Sequence, residues 1–345
     1  MSVGRWVRHP AVWVPVSAGL IAAMVWRSRL WEAADGLKLV DPASLAVAVA
    51  ISGIIPFLWA ARSADLLRGA GRPVAMRPLV PMTLFANMIN NLTPGSSGEV
   101  VRVWLLRAYY AVDPATGVAV VAIERLGAFG YLACSAAIVW LGYVGGWPPV
   151  VVIALLAMLV VAPGIAYGLG MRPSALLAAL PLSRVLGVPR WTRTTAWLRR
   201  VDDTMAQLMA HPVRLAVFAA LTFGVFAGYT AQLVLVARAL GVALDPVAAW
   251  GALGLAITAG VLSLLPFGLG SADLVLVGLL GVLGISTPVA AAMALGYRIV
   301  STLPLGVGGV LSYAWLSARL PEDRRAGFRR ALDGKPSENL EDVAP

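Results

Sequence analysis

Apolar runs long enough to cross a bilayer recur along this chain. The segments AVWVPVSAGLIAAMVW (residues 11–26), GVAVVAIERLGAFGYLACSAAIVWLG (117–142) and VVVIALLAMLVVAPGIAYGLG (150–170) approach or exceed the run of about 20 residues that a helix needs to span about 30 Å of hydrocarbon. Lipid offers no hydrogen bonds, so the backbone of such a run has to satisfy itself, and a helix does so within one segment. The composition agrees: 59% of residues are hydrophobic and 13% charged, with a mean hydropathy of +0.82. A soluble globular domain is excluded. The fold class is all-α, a polytopic membrane protein. The first run has the length of a signal peptide, but Pro15 and the absence of a small-residue cleavage site before a polar domain keep it as a span.

The net charge of +10 is carried by arginine, since Lys38 and Lys335 are the only lysines. In a membrane protein such an excess marks cytoplasmic loops and faces anionic lipid headgroups, so no nucleic-acid partner is expected. Arginines crowd residues 1–8, 62–77, 172–214 and the tail after 319, which are assigned to the cytoplasm; both termini then lie inside a plasma-membrane protein. Arg62 falls in the second of these groups. Crossings are expected at about 11–26, 43–61, 116–142, 149–170, 213–238 and 288–317. Residues 185–210 space Trp191, Ala196, Leu198, Val201, Met205 and Leu208 as an amphipathic interfacial helix, and 321–345 read as a disordered cytoplasmic tail beyond a 1–320 membrane domain. Cys134 is the single cysteine, and His9 and His211 stand apart, so neither a metal site nor a cofactor is expected.

Two further apolar regions, about 79–112 and 247–286, are broken in the middle by proline and glycine, leaving pieces of about 13–19 residues. They read as re-entrant helix hairpins of opposite orientation. Between them a pattern repeats. TPGSSGEVVR leads through Pro114 to Arg125, and LPFGLGSADL leads through Pro288 to Arg298; 26 positions separate Glu99 from Arg125, and 25 separate Asp273 from Arg298. Matching landmarks in the same order at near-equal spacing point to an inverted repeat whose broken helices flank a transport site.

Glu99, Arg102, Glu124, Arg125, Asp273 and Arg298 all fall at expected membrane depth, where each alone would cost several kcal/mol against lipid, of order 3. They can balance as a network, or bind a guest: arginine's planar fork suits phosphate oxygens. Asn91, Pro94, Gly95 and Gly98 at the first break, and Gly268 and Gly270 at the second, complete the candidate substrate-binding set. Asn87, Asn90 and Asn91 are also suited to capping the freed backbone ends. Replacing Arg298 with glutamine is expected to abolish transport and leave the protein folded.

With NNLTPGSSGEVVR at 90–102, ERL at 124–126, PFGLGSAD at 266–273 and YR at 297–298, the chain from about residue 40 to 318 resembles the transmembrane, flippase-like domain of the lysylphosphatidylglycerol synthase family. That resemblance implies an all-helical inverted repeat with re-entrant helices that moves a lipid between leaflets. The aminoacyl transferase domain fused to some members has no counterpart here, so lipid aminoacylation is not expected. Ser96 and Ser97 stand where a basic residue is usual, and Asp273 where glutamate is usual.

The leading expectation is therefore a non-enzymatic flippase for an anionic or phosphate-bearing lipid: a phospholipid, an aminoacyl-phospholipid or a polyprenyl-phosphate-linked sugar. Two alternatives stay open. PGSSGE has a superficial likeness to the loop of a polyprenyl-diphosphate phosphatase, though that chemistry needs carboxylates four apart and a loop arginine, which 94–99 lack. An ion-coupled carrier of a small solute is the other. A homo-oligomer and a coupling ion or proton are left open as partners.

Overall fold

The computed structural model describes residues 41–93, 97–137, 172, 188–263 and 265–319. The expected spans at 11–26 and 149–170, the end of the span at 116–142 and the tail after 320 lie outside the described residues. Within them the chain forms nine helices: α1 (Pro42–Gly69), α2 (Met76–Leu92), α3 (Ser97–Tyr110), α4 (Pro114–Ala137), α5 (Val188–Met209), α6 (Pro212–Ala239), α7 (Pro246–Ser263), α8 (Ser271–Val282) and α9 (Thr287–Arg319), with one 3-10 turn at Pro266–Gly268. Five of these, α1, α4, α6, α7 and α9, are long and apolar enough to cross a membrane.

The boundaries have a common chemical cause. Asp-Pro pairs at 41–42, 113–114 and 245–246 each open a helix. Proline sits where its missing N–H is not needed, and the aspartate carboxylate accepts the orphan donors of the first turn. Asp41 Oδ1 accepts from Ser44 N–H at 3.2 Å, Asp113 Oδ2 from Ala115 N–H at 3.0 Å, and Asp245 Oδ1 from Ala248 N–H at 2.8 Å. At the other end, α1 and α6 close on Gly71 and Gly241, both with φ of +73°, a conformation in which a side chain is strained.

The helix lengths repeat. The run α1 to α4 has 28, 17, 14 and 24 residues, and α6 to α9 has 28, 18, 12 and 33. At 1.5 Å per residue α3 and α8 are about 21 and 18 Å long, well short of the hydrocarbon thickness. The packing is reciprocal as well: α1 lies along α6, α2 packs on α9 of the other half, and α7 packs on α4. Water-driven burial does not hold helices together in lipid, so close fit has to. A Cβ on Gly309 would run into the Met88 side chain at 2.6 Å, and one on Gly254 would run into Ser135, so these glycines set the α2–α9 and α4–α7 separations.

Two large apolar cores lie mainly one in each half, and a small third one of Ile55, Trp59 and Val225 joins α1 to α6. Leu67, Leu79, Phe85, Leu105, Val120 and Met205 belong to the first, and Leu233, Leu253, Leu280, Met293 and Ala294 to the second. The helix expected at 185–210 is present as α5 over Val188–Met209, and the C-terminal half of the apolar face it was given packs on protein: Val201, Met205 and Leu208 are buried in the first core, while Ala196 is exposed.

Candidate functional site

The first break lies between α2 and α3. The Thr93 and Ser97 hydroxyls hydrogen-bond across it, and Thr93 also donates to Ile89 O at 2.6 Å, so the ends of the two helices are fastened side by side. A Cβ on Gly98 would strike the Ala86 carbonyl and the Asn90 backbone, so glycine there is what lets the start of α3 lie against the end of α2. That placement puts Glu99 in the first turn of α3, where the helix dipole favours a carboxylate.

Around Glu99 the structure gathers five charges from three helices, α1, α3 and α4, with an amide from α2. Arg102 pairs with Glu99 at 3.0 Å and with Glu124, and Arg125 pairs with Glu99. Asn90 Nδ2 donates to Glu99 Oε1 at 3.0 Å. Ser63 donates to Glu124, and Arg62 Nε lies 3.7 Å from the same carboxylate. Arg102 and Glu124 are 5% and 4% exposed, whereas the Arg125 side chain is 39% exposed. Among the described residues, three guanidiniums thus face two carboxylates, a surplus of one positive charge. Among the described residues, the buried Nε atoms of Arg62 and Arg102 have no hydrogen-bond acceptor. Leaving a buried donor unpaired costs roughly 1–3 kcal/mol.

Arg62 and Ser63 are the residues that sequence reasoning missed. The expected span stopped at 61 because an arginine interrupts the apolar run, and Arg62 was assigned to a cytoplasmic loop. The helix does not stop there: α1 continues two turns to Gly69, Arg62 makes its ion pair in the cluster, and its guanidinium lies 5.7 Å from the centre of the Phe218 ring. A signal existed, since no proline or glycine stop occurs between Arg62 and Gly69.

The second break is built differently. Phe267, Gly268 and Gly270 have φ of +54°, +57° and +82°, and a Cβ on Gly268 would lie 2.8 Å from Gly260 Cα. A left-handed phenylalanine costs roughly 1–2 kcal/mol. Arg298 holds the turn: Nη1 donates to Phe267 O at 2.7 Å and Nη2 to Gly268 O at 3.0 Å. Its other bonds form a two-pronged pair with Asp273, Nε to Oδ1 at 2.7 Å and Nη2 to Oδ2 at 3.0 Å. Asp273 in turn accepts from Gly270 N–H at 2.9 Å, capping α8. Four of the five guanidinium hydrogens are engaged in these bonds, and the pair is neutral. The sequence left Arg298 either to balance a charge network or to bind a guest; in the structure its donors are spent on Asp273 and on backbone carbonyls.

Polar seams join the halves. Pro304 in α9 has no N–H, which leaves the Val300 carbonyl without its helical donor; the Ser52 hydroxyl of α1 and Gln232 Nε2 of α6, at 3.4 Å, supply it instead. The 3-10 turn packs on α2, so the first hairpin meets the second break.

Of the twelve expected site residues, Glu99, Arg102, Glu124 and Arg125 are brought into one cluster and Asp273 and Arg298 into another. Gly98, Gly268 and Gly270 shape the turns. Asn91 is exposed and donates to Asn87 O of its own helix at 2.8 Å, while its neighbour Asn90 reaches Glu99. Pro94 and Gly95 lie outside the described residues.

The lysylphosphatidylglycerol synthase TM region family model matches residues 12–309. A UPF0104 membrane protein of Methanothermobacter thermautotrophicus is 25% identical over 330 residues, covering 90% of this chain and 97% of that protein. No solved structure matches. The chain belongs to the lysylphosphatidylglycerol synthase transmembrane-region family and is a multi-pass membrane protein.

Proposed function

We propose that this protein carries an anionic lipid between membrane leaflets without changing it covalently, with the lipid phosphate at the first cluster. The observation that carries the reading is the surplus of one positive charge among Arg62, Arg102, Arg125, Glu99 and Glu124, set beside an interrupted helix. A phosphodiester carries one negative charge and neutralises that surplus; a diphosphate over-compensates it. Arg125 is the member that solvent or a headgroup can reach, since its side chain is 39% exposed and its pair with Glu99 is the most exposed in the cluster.

The repeated run of helix lengths and the reciprocal α2–α9 and α7–α4 packing support an inverted repeat with two re-entrant hairpins, the architecture in which one half rocks against the other around a midplane site. The family supports a lipid-related role in the membrane. On this reading the protein sits in the plasma membrane with both termini in the cytoplasm.

The test is reconstitution into vesicles bearing a fluorescent anionic phospholipid, with an impermeant quencher added outside. Bleaching of the inner-leaflet fraction is expected with the wild-type protein and is expected to be lost with Arg125→Gln. Bleaching no deeper than in protein-free vesicles overturns the reading.

A further inference from the structure

Arg125 is the first residue of a stripe. On α4, positions 125, 129, 132, 133 and 136 recur at steps of three and four and share one face. Beyond the arginine this face is apolar, and it forms one wall of a cleft of about 320 Å³, built from Phe129, Leu132, Ala133 and Ala136 of α4 with Val261 and Leu262 of α7 opposite. The one hydroxyl on its lining, that of Thr258, already donates to Gly254 O at 2.8 Å. The cleft therefore offers a guest hydrocarbon contact and nothing else. Phe129, Val261 and Leu262 are 59%, 56% and 76% exposed, so it opens sideways rather than toward the protein interior.

Charge and apolar surface stand in the order an amphiphile needs. The surplus cation is at one end, and about 16 Å of helix separates position 125 from position 136. A volume near the bottom of the range of about 300–1,000 Å³ for small-molecule pockets suits a single hydrocarbon chain and is too small for a headgroup with two chains. The Gly254–Ser135 approach, which a Cβ would prevent, fixes the distance between α4 and α7 beside the cleft.

We infer that the α4–α7 cleft seats one acyl chain of a phosphodiester lipid whose phosphate meets Arg125, so that headgroup and tail are read by one helix face. This rests on the lipid-transport reading and adds the place of the tail.

The experiment uses the full chain in zwitterionic vesicles doped with an anionic phospholipid that carries a diazirine near the end of one acyl chain. After irradiation, labelled peptides are mapped. Labelling is expected to concentrate on residues 129–136 and 258–262, and to fall several-fold with Arg125→Gln and with Ala136→Trp, which fills the cleft. Even labelling of every lipid-facing helix, or α4–α7 labelling that Arg125→Gln leaves unchanged, overturns the inference. The label reports binding and needs no transport. Expected labelling without quencher-accessible lipid movement therefore refutes the flippase reading and keeps the tail seat, and lipid movement without that labelling does the reverse.

Discussion

Two interrupted helices in this protein carry the same residue types in the same order, yet their electrostatics differ. At the second, Arg298 spends its donors on Asp273 and on the Phe267 and Gly268 carbonyls, and the charges cancel. At the first, Arg102 and Arg125 share Glu99 and Glu124 with a third arginine from α1, and one positive charge is left over. A repeat in sequence therefore need not be a repeat in function. One break is a clasp that holds left-handed backbone in place, and the other is a charged cluster whose outermost arginine is 39% exposed. The asymmetry arises because α1 places Arg62 against the first cluster, whereas its counterpart α6 ends in Arg238, which is 72% exposed and pairs with Asp41 at 3.0 Å.

The largest way to break this comparison is at the clasp. Arg298→Gln leaves Asp273, 5% exposed, without its cation, and breaking such a pair costs about 3–5 kcal/mol. Thermal unfolding in detergent is expected to show a markedly lower midpoint, with Asp273→Asn added in the same chain recovering part of the loss because the two sites are coupled. An Arg298→Gln protein as stable as wild type would erase the distinction between the breaks.

A middle-sized effect sharpens the comparison at the turns. Gly98→Ala drives a methyl into the Ala86 carbonyl, and overpacking of this kind costs about 1–3 kcal/mol. The same measurement on Gly53→Ala, where nothing lies within 4 Å, is expected to show no loss. Equal melting points for the two would mean that the ends of α2 and α3 do not touch as described.

Arg125→Gln is expected to sit at the opposite corner: under about 1 kcal/mol of stability, since its pair is partly exposed, with lipid movement abolished. Together with Arg298→Gln this separates a residue that works from one that holds. Loss of fold in Arg125→Gln would merge them.

The smallest effect belongs to the outer ends of α1 and α6. The Ser44 hydroxyl and N–H hold the Asp41 carboxyl below its ordinary value of 3.8, with a lesser contribution from Arg238. A depressed carboxylate stabilises the folded state above its unfolded pKa and loses that contribution as pH falls through the folded value. Asp41→Asn keeps a capping side chain and removes the titration, so its stability is expected to vary less with pH below about 4 than that of the wild type. An identical acid profile would show that this cap is titrationally silent and that acid sensitivity comes from the interior clusters.

Most of the fold could be read from the chain because its determinants are local. Apolar length forces helices in lipid, Asp-Pro pairs start them, glycine ends them, and the paired interruptions at Pro94–Gly98 and Pro266–Gly270 show as composition alone. The charges at membrane depth were equally visible, since so few residues there are charged at all. Arg62 escaped because hydropathy treats an arginine as the end of a span, while the backbone continues wherever its hydrogen bonds can. Asn91 was preferred to Asn90 for a related reason: one step along a helix turns a side chain by about 100°, and only the packing of α3 on α2 selects which amide meets Glu99.

By itself the sequence determined that the chain is helical, membrane-embedded and equipped with charges that need partners, all consequences of short-range chemistry in a medium without water. Only the tertiary structure decided who those partners are. Whether an arginine ends up saturated by carbonyls, as Arg298 is, or in surplus, as Arg62, Arg102 and Arg125 are, depends on which helices meet at a break, and that is set by close fit between segments far apart in the chain.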